Sequence, residues 1–147
     1  MANPMKPKIL VVDDTQAKRD FHVDVISKYL GSEWELLLPD PVGLVDSAHA
    51  LVLGNPDLAI AVVDAYLEDP QESKPKGITL LMHVKEYACG CYKILISTYI
   101  RMEDELPPSP PVDEFVHTRF VGGRSPVDGL QEALRRGKKY HQSRILI

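Results

Sequence analysis

The chain has 147 residues, 44% of them hydrophobic and 26% charged, which is enough apolar material for one domain with its own core. That balance excludes a disordered chain, and a net charge of −4 offers no bulk attraction to nucleic acid or to an anionic membrane. Cys89 and Cys91 are separated by one residue, too few for an ordinary intrachain bridge, so free thiols in a reducing compartment are expected.

Met1 to Lys8 is polar and bears prolines. The apolar run behind it, Ile9 to Val12, is far too short for a signal-peptide core or a membrane span, so a cytoplasmic protein is expected. Ile9 to Val12 is apolar throughout and mostly β-branched, as in a parallel strand buried on both faces, and it stops at Asp13-Asp14. A helix is predicted from Thr15 to Leu30, with Ala17, Phe21 and Val25 spaced by four on its inner face and Ile26, Tyr29 and Leu30 beside them. Gly31 is its stop.

Trp34 to Leu38 reads as a second strand. Asp40-Pro41 offers a helix cap with proline at the first helical position. Leu44, Val45, Ala48, Leu51 and Val52 give that helix one apolar face, and Gly54-Asn55-Pro56 ends it. Leu58 to Val63 is a third strand, stopping at Asp64. A polar loop with Pro70 and Pro75 leads to a helix over Gly77 to Tyr87, with Ile78, Leu81, Met82 and the stem of Lys85 along its inner side.

Ile94 to Ile96 is a fourth strand, stopping at Ser97-Thr98. Pro107, Pro108, Pro110 and Pro111 follow, which a regular helix cannot absorb. Phe115 to Val121 contains a fifth strand. Ser125-Pro126-Val127-Asp128 reads as a capping box opening a last helix that runs to about Tyr140. Strands alternating with helices imply an α/β fold with a parallel sheet covered on both faces. In such sheets the functional crevice lies beyond the carboxyl ends of the strands. That rule selects Asp13-Asp14, Asp64, Ser97-Thr98 and Thr118-Arg119.

Three carboxylates at one sheet edge repel one another, and a hard divalent cation such as Mg²⁺ relieves that repulsion through the oxygen ligands it prefers. Such an ion also neutralises charge on an incoming phosphoryl group. A neighbouring aspartate is then a competent nucleophile for an aspartyl phosphate. A strand-end hydroxyl such as Ser97 can hydrogen-bond a phosphoryl oxygen. An Asp pair at a strand end is by default a helix cap with a solvated neighbour. The order of an acidic pair, a single Asp and a hydroxyl after strands one, three and four is what carries the reading.

The same stretches resemble the response-regulator receiver family. Ile9-Leu10-Val11-Val12-Asp13-Asp14 is similar to its opening strand, Ala61-Val62-Val63-Asp64 to its phosphoacceptor strand, and Gly77-Ile78-Thr79-Leu80-Leu81 to its following glycine and helix. Ile94-Leu95-Ile96-Ser97 and Asp113-Glu114-Phe115-Val116 resemble its strand four and the approach to strand five. The resemblance covers roughly residues 8–141 and leaves 142–147 as a tail. It implies a single-domain flavodoxin-like fold with strand order 2-1-3-4-5. It makes Asp64 the phosphoacceptor, Asp14 a direct Mg²⁺ ligand, Asp13 a ligand through water and the Tyr66 backbone carbonyl a further ligand. Ser97 would move toward the phosphoryl group and Phe115 would be the switch aromatic. The implied partners are a histidine kinase or phosphotransfer protein as donor and an output protein that the sequence does not identify. No enzyme is implied.

The sequence departs from the family in four places. Thr118-Arg119 stands where the family has Lys-Pro, and a threonine cannot pair with phosphate as an ammonium does. Arg119 is shifted by one, to the other side of a strand, and Arg124 is the other candidate substitute. The loop from Asp64 to Gly77 is about five residues long in excess, of the tolerated sort. The prolines at 107–111 degrade helix four, and Val121-Gly122-Gly123-Arg124 lengthens the last connection. Thr98 is larger than the family's usual small residue and would crowd access to Asp64.

These departures keep open a second expectation, a pseudo-receiver that binds protein without a phosphoryl switch. A magnesium-dependent phosphohydrolase would need an acid two residues after Asp64, where Tyr66 stands. Since no output domain fits after Tyr140, a stand-alone receiver or one cut from a longer protein is expected. The histidines at 22, 49, 83, 117 and 141 do not cluster in sequence and are expected at surface or satisfied positions. Gly122-Gly123-Arg124 is expected as a plain loop rather than an anion nest. Arg135, Arg136, Lys138, Lys139 and Arg144 are expected on a solvated helix face.

Overall fold

The computed structural model describes residues 6–65, 67, 76–97, 111–117 and 125–145. Strands β1 (Lys8–Val12), β2 (Glu35–Leu37), β3 (Ile60–Asp64), β4 (Tyr92–Ser97) and β5 (Glu114–His117) alternate with helices α1 (Gln16–Leu30), α2 (Leu44–Gly54), α3 (Lys76–Tyr87) and α4 (Pro126–Ile145). The strands form one parallel sheet, as their pattern predicts, in the order β2-β1-β3-β4-β5 that the family resemblance implies.

Both faces of the sheet are buried because the central strands are apolar through their middles, at Ile9 to Val12, Ile60 to Val63 and Ile94 to Ile96. Leu10, Val12, Ala61 and Val63 point to one side and pack with Leu44, Ala48, Val52, Leu81 and Val84 of α2 and α3. Ile9, Val11, Ile60 and Val62 point to the other and pack with Val25, Ile26, Leu130 and Leu134 of α1 and α4. Each large aliphatic side chain buried this way contributes roughly 1.5–3 kcal/mol. Leu67, in the connection after β3, is fully buried in the first of these cores. At the far edge β5 is fastened by Lys93, whose ammonium lies 3.1 Å from Asp113, and by Arg136 of α4, which pairs with Glu114. Arg136 is therefore tied to the sheet while its side chain stays partly exposed.

Several local expectations are corrected. In α1 the inner face is Arg19, His22, Val25, Ile26 and Leu30, whereas Ala17, Phe21 and Tyr29 are exposed. Steps of four residues drift about 40° per step around a helix. A row spaced strictly by four therefore winds off the core face, and alternating threes and fours stay on it. Met82 of α3 is 55% exposed for the same reason, while Ile78, Leu81 and Val84 are buried. Pro41 does not open α2. The Asp40 carboxylate accepts the Val42 N–H at 2.9 Å in a local turn, and the chain enters the helix at Leu44 through Gly43 with φ of 67°. That left-handed conformation suits glycine.

Other boundaries agree. Gly31, with φ of 72°, ends α1. Ser125 Oγ accepts the Asp128 N–H at 3.1 Å, forming the expected cap of α4. That helix runs on to Ile145, past the expected end near Tyr140. Tyr66, Thr98, Pro107, Pro108 and Pro110 of the degraded helix four, Thr118-Arg119 and Val121-Gly122-Gly123-Arg124 lie outside the described residues.

Candidate functional site

The pairing register brings the acidic residues together. Val12 of β1 stands opposite Val63 of β3, so Asp13 and Asp64 emerge side by side at the carboxyl ends of adjacent strands. Asp64 in turn stands opposite Ile96 of β4, which places Ser97 one step further out on the neighbouring strand. Asp13, Asp14 and Asp64 each offer a carboxylate oxygen, and these oxygens lie within 4.8 Å of one another. Asp13 is 1% exposed, Asp64 8% and Ser97 1%, while Asp14 faces solvent. The centre thus has buried walls and one open side.

The backbone around Asp64 is held from two directions. The Ala65 N–H donates to the Ile96 carbonyl at 2.8 Å, and the Gly77 N–H donates to the Ala65 carbonyl at 2.9 Å. Gly77 sits so close that a Cβ there would lie 2.0 Å from the Asp64 carbonyl oxygen. Only glycine lets the start of α3 approach the strand end this closely.

The three carboxylates fit a hard divalent cation. Asp13 Oδ1 accepts the Thr15 N–H at 2.9 Å, and Asp13 Oδ2 is buried without a hydrogen-bond partner among the described residues. A desolvated carboxylate oxygen of this kind, beside two further carboxylates, could hold a hard cation of the Mg²⁺ type. Tyr66, expected to add its carbonyl, lies outside the described residues.

Phe115 stands opposite Leu95 on β5 and packs half-buried against the core under α2 and α3. Its ring lies 4.8 Å from that of His117, which stands opposite Ser97. The sequence-predicted set of Asp13, Asp14, Asp64 and Ser97 thus converges at one edge, with Phe115 one strand away.

Two residues near the centre were not expected. Arg19 and His22 of α1 are buried, and both reach Asp13. The signal was present in the spacing, since 19, 22 and 26 alternate by three and four along the core face. His22 also departs from the expectation of surface or satisfied positions, while His49, His83, His117 and His141 are half-buried. His22 is 3% exposed, and His49 of α2 meets His83 of α3 with ring centroids 4.4 Å apart. Cys89 is exposed and Cys91 buried, and both are free. Burial pushes the Cys91 thiol well above its ordinary value, which makes it inert.

No protein-family model matches the sequence, and neither does any curated protein. Solved structures do. The signal receiver domain of an HD domain-containing protein from Pseudomonas fluorescens Pf-5 matches with a TM-score of 0.70 at 18% identity, over 98% of this chain and 96% of that one. A CheY-like response regulator receiver domain protein from Methanospirillum hungatei JF-1 gives 0.68 at 18% identity, over 95% and 99%. The response regulator TrrA from Thermotoga maritima, solved in complex with Mg²⁺ and BeF, gives 0.63 at 18% identity, over 90% and 99%. NtrX from Brucella abortus gives 0.67 at 21% identity over 97% of this chain, which spans only 28% of that protein. At these identities the likeness establishes the fold, and the chain has the receiver-domain fold.

Among the described residues no helix is long and apolar enough to cross a membrane.

Proposed function

We propose that this chain is a phosphoryl-accepting signalling receiver, with Asp64 as acceptor. The observation that carries the reading is the convergence of Asp13, Asp14 and Asp64 oxygens within 4.8 Å at the carboxyl edge of a receiver-fold sheet. A bound Mg²⁺ supplies neutralisation of the negative charge that gathers between these carboxylates and a phosphoryl group. The acceptor step is a displacement at phosphorus. An Asp64 carboxylate oxygen forms the new P–O bond as the P–N bond of a donor phosphohistidine breaks, and the departing imidazole takes up a proton. Ser97, buried one strand away, donates its hydroxyl to a phosphoryl oxygen. Phe115 reports the change to the β4–β5 face, where an output protein would read it. The donor is a histidine kinase or phosphotransfer protein, and the setting is two-component signalling in the cytoplasm.

A second reading is favoured by one feature of the sequence. Thr118, at the place where the family carries lysine, lacks the charge that would hold a phosphoryl oxygen. On that reading the fold is a protein-binding module without a phosphoryl switch. Adding Mg²⁺ and beryllofluoride and recording amide NMR spectra separates the two. A receiver shifts resonances around Asp13, Asp14 and Asp64 and then Ser97 and Phe115. A pseudo-receiver shifts none with beryllofluoride beyond the changes due to Mg²⁺ alone.

A further inference from the structure

Asp13 is gripped from α1 as well as from its own strand end. Arg19 Nη1 donates to the Asp13 carbonyl at 3.5 Å, while its other terminal nitrogen bonds Gln16. One turn further, His22 turns Nε2 toward Asp13 Oδ2 at a separation of 3.3 Å. The two atoms are near enough for electrostatic attraction, yet the angle between them falls outside hydrogen-bond limits. Neither His22 nitrogen has a hydrogen-bond partner among the described residues, although the side chain is 3% exposed. A buried imidazole in that condition is costly, and an apolar residue would fill the same place on a core-facing helix without the desolvation penalty. The helix keeps it beside the one oxygen of Asp13 that Thr15 does not hold.

We propose that His22 is a positioning residue of the acidic centre. Its Nε2 stands 3.3 Å from Asp13 Oδ2, and a small turn of the ring lets an N–H there donate to that oxygen, so that with the Thr15 N–H on Oδ1 it fixes the carboxylate and the centre holds a divalent cation more tightly. This rests on the reading of Asp13, Asp14 and Asp64 as a cation site. Groups that orient metal ligands from behind typically change metal affinity by about 10–100-fold when removed.

The test is an Mn²⁺ titration followed by the electron paramagnetic resonance signal of the free ion, with thermal melts of each variant without metal. His22→Phe keeps a ring of similar shape and removes the N–H, and His22→Met is a second apolar variant should the first not fold. His22→Gln retains an N–H donor. The apolar variants are expected to bind Mn²⁺ at least about tenfold more weakly. Their metal-free melting temperatures should be equal to or above that of the natural chain, and His22→Gln should recover most of the affinity. An apolar variant with unchanged affinity overturns the proposal. So does a His22→Gln variant as weak as the apolar ones, because a packing role would affect all three alike. Asp64→Asn is the control for the centre itself. If the natural chain binds no Mn²⁺, or Asp64→Asn binds it equally well, the cation-site reading fails and the role of His22 falls with it. If only Asp64→Asn weakens binding, the centre stands and the His22 proposal alone is lost.

Discussion

Each acidic residue sits at a strand end because an apolar run stops there, so Asp13, Asp14, Asp64 and Ser97 were legible as a set before any geometry. Arg19 and His22 were not, because a polar residue on a helix reads by default as solvent-facing. Only the three-and-four spacing through Val25 and Ile26 marks their face as the inner one. Thr118 bears on the switch at this scale. A lysine there would hold a phosphoryl oxygen by a charge-assisted hydrogen bond worth about 1.5–3 kcal/mol where it forms. Only its differential part shifts the population of the active state, about tenfold for each 1.4 kcal/mol. The natural chain is therefore expected to couple Asp64 weakly to Phe115, and Thr118→Lys to strengthen the Phe115 response to beryllofluoride in NMR spectra. A complete Phe115 response in the natural chain, with nothing added by Thr118→Lys, would show that Arg119 or Arg124 has taken the lysine's place.

At the scale of elements, the junction between β3 and α3 depends on Gly77. A methyl group there meets the Asp64 carbonyl oxygen at 2.0 Å and its carbon at 2.8 Å, both backbone atoms that cannot swing aside. Gly77→Ala is expected to lower stability by about 1–3 kcal/mol, as overpacking does, and to lower the urea midpoint accordingly. An unchanged midpoint would mean that α3 can shift without cost. The α2–α3 contact carries a pH dependence. Burial, then the neighbouring His83, holds the His49 imidazole below its ordinary value, against an opposing pull from Asp46, and Tyr87 closes the cluster from α3 beside His83. A histidine depressed in the folded state takes up its proton first in the unfolded chain. Its contribution is intact above pH ~6.5 and is lost as pH falls below that toward the folded value. Burial, with Arg144, lowers His141 in the same sense. His49→Gln should flatten the loss of stability on acidification below pH ~6.5 in denaturant titrations, and an identical slope would contradict this. The strand pattern was readable because the middles of buried parallel strands are unbroken apolar runs. The start of α2 was not, because Asp40 caps its own turn and leaves Gly43 to open the helix.

For the whole molecule, alternating elements and right-handed crossovers leave few topologies, and the resemblance of the strand-end motifs to the receiver family selected the order 2-1-3-4-5 that the sheet has. If the acidic centre is the proposed cation site, stability is expected to depend on Mg²⁺. Three carboxylate oxygens within 4.8 Å repel one another when bare. Asp64→Asn should therefore raise stability in the absence of Mg²⁺. The natural chain should gain about 1.4 kcal/mol when Mg²⁺ is present at tenfold its dissociation constant, and the variant should gain far less. Equal gains in both would place the ion elsewhere. The most direct test of the central claim is to incubate the chain with Mg²⁺ and acetyl phosphate and locate any phosphoryl group by peptide mass spectrometry after trapping the acyl phosphate. The account predicts modification at Asp64 that requires Mg²⁺ and disappears in Asp64→Asn. A chain left unmodified under these conditions, or modified at another residue with Asp64 untouched, would contradict it.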